Sequence, residues 1–185
     1  MHWMFLAEGF EEIEALCPLD LMRRAGLSVC TVGIGGKTVR GSHGIVVEAD
    51  VDGRSFDPAA QGIPESVILP GGMPGTKNLE ASPIVQYCLK QIKEGAWPDC
   101  VLAAICAAPS VPGKLGLYQG RKATCFPGFE KDLIGAKPAK DKVVSDGPFI
   151  TGAGMGVALD FGLCIVERFC GKDKAQSLRK GVQAT

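Results

Sequence analysis

The sequence predicts a doubly wound, three-layer α/β domain that spans residues 1–185 and contains a mostly parallel sheet. Apolar stretches of strand length alternate with amphipathic stretches of helix length, and this alternation is typical of parallel strands joined through helices. The strand-like stretches lie at residues 3–7, 28–34, 66–69 and 101–105, and the helix-like stretches at 11–25, 84–93 and 157–169. A chain of 185 residues is long enough to bury a substantial core.

The first half of the chain supplies two of these strands and one long helix. After the strand at 3–7 and a turn at 8–10, the helix at 11–25 begins with acidic residues and ends with two arginines, which suits its dipole. Pro18 is expected to bend this helix or to break it in two. The strand at 28–34 leads to a hairpin at 37–47, and residues 50–65 are polar and rich in turns.

The second half alternates in the same way. The strand at 66–69 is stopped by prolines and glycines, and the helix at 84–93 leads to the strand at 101–105. We expect a turn at 115–122, a short strand at 123–125, a strand pair at 143–144 and 149–151, and a closing helix at 172–180. Met155 and Phe161 are expected in the core.

Composition and charge exclude several classes of protein. Hydrophobic residues make up 46% and charged residues 22% of the chain, as in ordinary globular proteins, and 20 basic residues balance 20 acidic ones. There is no basic run for nucleic acid, no apolar run of about 20 residues for a membrane span, and no signal-peptide pattern. Eight cysteines without C-x-x-C pairs favour reduced thiols, and we expect a cytoplasmic location.

Neither a metal nor a nucleotide cofactor is expected. His2 and His43 are the only histidines, which leaves a zinc site or a histidine-based triad poorly supplied. The glycines at 152–156 precede a helix, but their spacing is not that of a dinucleotide loop and no ribose-binding acid follows. The glycine-rich segment therefore predicts a helix start only.

Cys106 is the principal candidate for chemistry. It follows the apolar strand at 101–105 and precedes small residues and Pro109, which suit the first turn of a helix. This pattern predicts a nucleophile elbow at the carboxyl end of a central strand, where α/β sheets bind ligands. A helix N-terminus there would favour the thiolate. The alternative is that Cys106 is only a small core residue.

Three further residues are expected near this cysteine. Gly72 follows another buried strand, so its N–H and that of Ala107 are candidates for an oxyanion hole, although the glycines could simply form a tight turn. Glu14 is a candidate for a buried carboxyl that keeps its proton and donates a hydrogen bond to the sulfur. Glu11 and Glu12, by contrast, are expected to be solvated.

Several motifs resemble one known family. They are G-F-E-E-I-E at 9–14, R-R-A-G at 23–26, L-P-G-G-M-P-G at 69–75, K-N-L at 77–79, A-A-I-C-A-A-P at 103–109 and T-C-F-P at 124–127. Together they resemble the DJ-one-like branch of the ThiJ/PfpI superfamily over nearly the whole chain. The resemblance implies a flavodoxin-like fold, related to class I glutamine amidotransferases, and a homodimer. It also implies that Cys106 is the nucleophile, Glu14 its protonated partner, and Gly72 and Ala107 the oxyanion-hole residues.

The chain departs from this family at the pocket. The peptidase-like branch has histidine where this chain has Ala107, which disfavours a Cys–His peptidase. Phe126 stands where some relatives have histidine, and His43 and Ala153 stand where some have arginines, so substrate anchoring is expected to differ. By the same resemblance Cys125 precedes a pocket-wall residue, and either a disulfide with oxidised Cys106 or simple packing would account for it.

Two functions follow from these expectations. The first is a cysteine-dependent enzyme of the glyoxalase or deglycase type, acting on reactive dicarbonyls or on their adducts with amines. The second is an oxidative-stress sensor or redox-regulated chaperone that uses the same oxidisable cysteine. A peptidase or amidase is the least favoured alternative.

Overall fold

A computed structural model describes residues 1–184 and contains a seven-stranded sheet at its centre. Its strands are β1 (His2–Leu6), β2 (Val29–Gly33), β5 (Val51–Asp52), β6 (Ser66–Leu69), β7 (Val101–Ile105), β10 (Val143–Asp146) and β11 (Phe149–Gly152). Their order in the sheet is β10-β11-β7-β6-β1-β2-β5, and every neighbouring pair is parallel except β10 with β11. Leaving out short edge strands, the order is that of flavodoxin-like folds, which confirms the predicted fold class.

Helices cover both faces of this sheet. They are α1 (Glu12–Arg24), α2 (Gly75–Ala81), α3 (Pro83–Lys93), α4 (Ser110–Lys114), α5 (Ala158–Cys170) and α6 (Lys172–Gly181). Side chains alternate between the faces along each strand: Phe5 packs with residues of α2, α3 and α4, whereas Met4 packs with residues of α1, α5 and α6. Two separate cores therefore lie on the two sides of the sheet, which gives the predicted three layers.

Two smaller sheets lie outside the central one. The predicted hairpin is confirmed as β3 (Thr38–Arg40) paired antiparallel with β4 (Val46–Glu48). The short strand predicted at 123–125 is instead β8 (Lys122–Ala123), which pairs with an unpredicted strand, β9 (Lys137–Pro138). These pairs are only two or three residues long, so they leave little periodic signal in the sequence.

Three element predictions were incomplete or wrong. Pro18 does not break α1, which runs unbroken from Glu12 to Arg24. Helix α2 and the edge strand β5 were missed, because both are short and lie in glycine-rich or polar sequence. Met155 is 53% exposed, since it lies in a 3-10 turn before α5 rather than on that helix's packed face, whereas Phe161 is buried as predicted. No helix in residues 1–184 is long and apolar enough to span a bilayer.

Candidate active site

Cys106 occupies a strained turn at the carboxyl end of β7. Its φ is +66°, and among residues 1–184 the only other non-glycine residue with a positive φ is Gln183. The Cys106 N–H donates to the carbonyl of Gly152 at 2.8 Å, and its own carbonyl accepts from the Phe126 N–H at 2.7 Å. These bonds hold the half-buried Cys106 side chain at the carboxyl end of the sheet, which confirms the predicted elbow geometry.

The helix expected directly after the elbow begins later than predicted. Residues 107–109 form successive turns, because the N–H groups of Ala108 and Ser110 bond to carbonyls three residues earlier, and α4 starts only at Ser110. A five-residue helix has little macrodipole. The predicted helix-dipole effect on Cys106 is therefore wrong, and any stabilisation of a thiolate must come from individual neighbouring groups.

Glu14 is one of those neighbours. Its side chain is 1% exposed, Oε2 accepts a hydrogen bond from the Gly71 N–H at 3.0 Å, and Oε1 has no conventional partner within residues 1–184. Burial raises the pKa of Glu14 to about 7, helped by the charge of Glu11 and opposed by hydrogen bonding with Cys106 and Gly71. The predicted direction is confirmed, and the carboxyl keeps its proton up to about neutral pH.

The Cys106 thiol and the Glu14 carboxyl influence each other strongly. Burial raises the pKa of Cys106 to about 12, and the charge and acceptor oxygens of ionised Glu14 add to the rise. Because burial is the largest cause of this rise, the expectation of a lowered thiol pKa is wrong. Once Glu14 holds a proton its charge is absent and its O–H can donate, so the contact that opposed the thiolate then supports it.

Two backbone N–H groups also act on the sulfur. Those of Ala107 and Gly72 lie close enough to the Cys106 side chain to lower its pKa, against the larger effect of burial. They come from the ends of neighbouring parallel strands, β7 and β6. The structure therefore brings together the four residues expected at the centre of the site: Cys106, Glu14, Gly72 and Ala107.

Gly71 is a site residue whose importance the sequence did not reveal. A Cβ atom at Gly71 would lie 2.6 Å from Oε2 of Glu14 and 2.7 Å from Cβ of Cys106. Only glycine leaves the space in which these two side chains meet, while its N–H holds the carboxyl. The signal was present as two consecutive glycines after a buried strand, but their separate roles depend on distant contacts.

The predicted pocket residues are dispersed. The Phe126 ring is 47% exposed and lies against Gly154, where an added Cβ would be 3.2 Å from the ring. Cys125 is buried and lines a separate cavity. His43 lies between β3 and β4 with its side chain 71% exposed, and within residues 1–184 it forms no hydrogen bond or ion pair with Cys106 or Glu14.

Glu12 is buried, which corrects the expectation that it is solvated. Its carboxylate accepts hydrogen bonds from the His43 N–H at 2.8 Å and the Ile45 N–H at 3.4 Å, and pairs with His43 Nδ1 at 2.9 Å. Burial alone would raise the pKa of Glu12, but these hydrogen bonds hold it at about 2. Glu12 thus anchors the β3–β4 loop to the start of α1, and its hydrogen bond to His43, together with its charge, raises the pKa of His43.

The same anchor is the one potential metal-ligand cluster found in residues 1–184. Glu11, Glu12 and His43 each offer one ligand atom, and these atoms lie within 4.8 Å of one another. Both oxygens of Glu12 already accept hydrogen bonds from the loop. We therefore regard the cluster as a structural contact.

The fold and this site together define a class of doubly wound α/β proteins that carry a cysteine on a strained elbow beside a buried acid. The DJ-1/PfpI family model matches residues 3–168, and the chain belongs to this family. The chain is 36% identical over 180 residues to the Parkinson disease protein 7 homolog of Danio rerio, covering 95% of this chain and 93% of that one.

Another relative and a solved structure also match over nearly the whole chain. The glutathione-independent glyoxalase DJR-1.2 of Caenorhabditis elegans is 34% identical over 181 residues, with 94% of this chain and 90% of that one covered. The solved structure of oxidized Toxoplasma gondii DJ-1 has a TM-score of 0.90 at 28% identity, covering 100% of this chain and 98% of the other. The single-domain organisation, the homodimer and the cytoplasmic location stay predictions.

Proposed function

We propose that this protein is a cysteine-dependent enzyme that acts on reactive dicarbonyls, such as methylglyoxal, or on their adducts with amines. The observation that carries the proposal is that three groups surround one sulfur: the carboxyl of Glu14 and the backbone N–H groups of Gly72 and Ala107. A relative in this family is named a glutathione-independent glyoxalase, which supports the same chemistry here.

The first step is addition of the Cys106 thiolate to the aldehyde carbon. A C–S bond forms, the carbonyl π bond breaks, and the oxygen becomes an alkoxide that the N–H groups of Gly72 and Ala107 stabilise. Glu14 gives its proton to that oxygen, which yields a hemithioacetal and leaves Glu14 as a carboxylate. A carboxyl whose pKa is about 7 can both donate and accept a proton near neutral pH.

The second step uses the carboxylate so formed. Glu14 takes the hydrogen of the attacked carbon as a proton and returns it to the neighbouring carbon. The hydroxyl proton on the attacked carbon passes to the oxygen of that neighbouring carbon, so the hemithioacetal becomes a lactic acid thioester. Water then cleaves the C–S bond, releasing lactate and the thiol. With an amine adduct, the Cys106 thiolate forms a C–S bond as the C–N bond breaks, and Glu14 gives its proton to the leaving amine. The same hemithioacetal results, and neither route requires an added oxidant or reductant.

Replacement of the nucleophile tests this proposal directly. We expect Cys106→Ser to lower lactate formation from methylglyoxal by at least about a hundredfold, because a serine hydroxyl beside a carboxyl is a far weaker nucleophile than a thiolate. Lactate is measured enzymatically without added glutathione. Cys170→Ser, on α5 away from the elbow, is the matched control and keeps full activity. Undiminished turnover in Cys106→Ser contradicts the mechanism.

A second candidate function, oxidation sensing or redox-regulated chaperone activity, is favoured by one observation. Oε1 of Glu14 is buried beside the sulfur without a conventional partner, so it can hydrogen-bond an oxygen added to Cys106. The Cys106 side chain is half-buried and therefore accessible, whereas those of Cys88 and Cys100 are fully buried. The two functions share one site and are compatible.

Intact mass after mild peroxide treatment tests the second candidate. We expect wild type to gain two oxygens, located at Cys106 by peptide mapping, before any other cysteine is modified. In Glu14→Ala the sulfinic form loses its hydrogen-bond partner and oxidation continues to the sulfonic acid. If Cys17 or Cys164 is oxidised first, the sensor function is contradicted.

A peptidase remains the least favoured function. Histidine is the usual base for a cysteine nucleophile, and neither histidine of this chain is placed for that role. His2 is the first residue of β1, at the end of the strands opposite the elbow, and its Nδ1 lies 2.9 Å from Oγ of Ser66. His43 is paired through its Nδ1 with the carboxylate of Glu12.

A further inference from the structure

A cavity of about 240 Å³ lies next to the segment that forms one wall of the Cys106 site. Residues 123–125 and Ala153 line it, and the following residue, Phe126, donates its N–H to the Cys106 carbonyl. Neither Cys106 nor Glu14 is among the lining residues. The cavity is thus a neighbour of the catalytic site and is separate from it.

The rim of this cavity carries an excess of positive charge. Lys137, Lys140 and Lys142 line it, whereas Glu130 is the only acidic lining residue. Within residues 1–184 none of these three lysines forms an ion pair, although eight other lysine and arginine side chains do so. Glu130 already accepts a hydrogen bond from the Gly128 N–H at 2.8 Å. The ammonium groups therefore remain available to an anion.

The interior of the cavity is apolar. Cys125, Leu133 and Ala136 line it and belong to, or pack against, the core on that side of the sheet. The lining therefore combines an apolar interior with a positively charged rim.

We propose that this cavity binds a small organic anion, with its carboxylate or phosphate between Lys137, Lys140 and Lys142 and its apolar body against Cys125, Leu133 and Ala136. Ligand pockets of about 300–1,000 Å³ hold drug-sized molecules, so the smaller volume favours a compact ligand. The proposal goes beyond the function proposed above, because no lining residue takes part in that chemistry.

Calorimetric titration of the full-length chain with phenyl phosphate, benzoate and neutral benzyl alcohol tests the proposal. The Lys137→Gln/Lys142→Gln double variant removes two rim charges, and Lys122→Gln/Lys131→Gln is the matched control, with both lysines exposed and outside the cavity lining. We expect saturable binding of at least one anion to wild type and control, weakened about tenfold in the rim variant. Benzyl alcohol should not bind measurably.

A cavity-filling variant provides an independent measurement. Ala136→Leu should abolish binding without removing charge, and its unfolding temperature shows that it is folded. Stronger binding of phenyl phosphate identifies a phosphate monoester site, and stronger binding of benzoate a carboxylate site. The proposal is overturned if neither anion binds, if both double variants bind equally well, or if benzyl alcohol binds as tightly as the anions. Repeating the titration in Cys106→Ser separates this outcome from failure of the catalytic proposal.

Discussion

At the scale of single residues, the site depends on where one proton resides. Burial raises the pKa of both Glu14 and Cys106, so the pocket resists holding two negative charges. With one charge present, either the carboxylate faces a thiol or the carboxylic acid donates to a thiolate. The N–H groups of Gly72 and Ala107 contact the sulfur and favour the second arrangement, whereas the Gly71 N–H favours the first.

The pH dependence of Cys106 alkylation in Glu14→Gln distinguishes these arrangements. We expect the variant thiol to ionise at higher pH than wild type, because an amide is a weaker hydrogen-bond donor to a thiolate than a carboxylic acid. Iodoacetamide rates between pH 4 and 10 provide the measurement, with Glu94→Gln, a remote exposed position, as the control. Ionisation at lower pH in Glu14→Gln would show that wild-type Glu14 is charged beside a neutral thiol.

At the scale of elements, α1 positions the acid and α5 holds α1 in place. Glu14 lies in the first turn of α1, while Pro18 and Leu21 further along the helix pack against Gly162 of α5. A Cβ at Gly162 would lie 2.8 Å from both the Pro18 Cα and Leu21 Cδ1. The close contact of the two helices therefore requires a residue without a side chain at this position.

Gly162→Ala tests the importance of this helix contact. We expect it to lower the free energy of unfolding by about 1–3 kcal/mol, because overpacking against backbone cannot be relieved by a rotamer change. Because α1 must shift, lactate formation should fall as well. Denaturant titration gives the stability, and Gly181→Ala at the end of α6, where an added Cβ meets nothing within 4 Å, is the control. Equal stability of the two variants would contradict the packing argument.

At the scale of the whole molecule, the two ends of the parallel strands differ in chemistry. The elbow lies at the carboxyl ends of the strands, whereas His2 is buried at the amino end of β1 with its ring edge-on to Phe169 of α5. Burial lowers the pKa of His2 below its usual 6.5, with Glu65 opposing and the N-terminal ammonium assisting. The folded protein therefore prefers neutral His2 more strongly than the unfolded chain does.

This preference predicts a loss of stability in mild acid. As the pH falls below 6.5, the unfolded chain takes up a proton that folded His2 resists, so the free energy of unfolding decreases toward the lowered pKa. His2→Gln removes this contribution, and the difference between wild type and variant should diminish with falling pH between 7.5 and 5. Carboxyl groups common to both chains cancel in that difference. A pH-independent difference would contradict the buried neutral histidine.

Local pattern was sufficient to predict the architecture and the centre of the site. Apolar runs predicted β6 and β7 at their observed bounds, because buried parallel strands are continuous in hydrophobicity. The elbow at Cys106 followed from a strand, small residues and Pro109. In each case residues adjacent in sequence determine the conformation.

Contacts between distant residues were decided only by the tertiary structure. Glu14 and Gly71 are 57 positions apart, and their hydrogen bond fixes the carboxyl beside Cys106. Glu11 and Glu12 are adjacent acids, and the β3–β4 loop contacts the carboxylate of Glu12. No local pattern could therefore show that Glu12 is buried. The sequence by itself thus determined the fold and the position of Cys106 on the turn after β7. The burial, partners and protonation of the acids were decided by tertiary packing, because desolvation depends on every segment that surrounds a group.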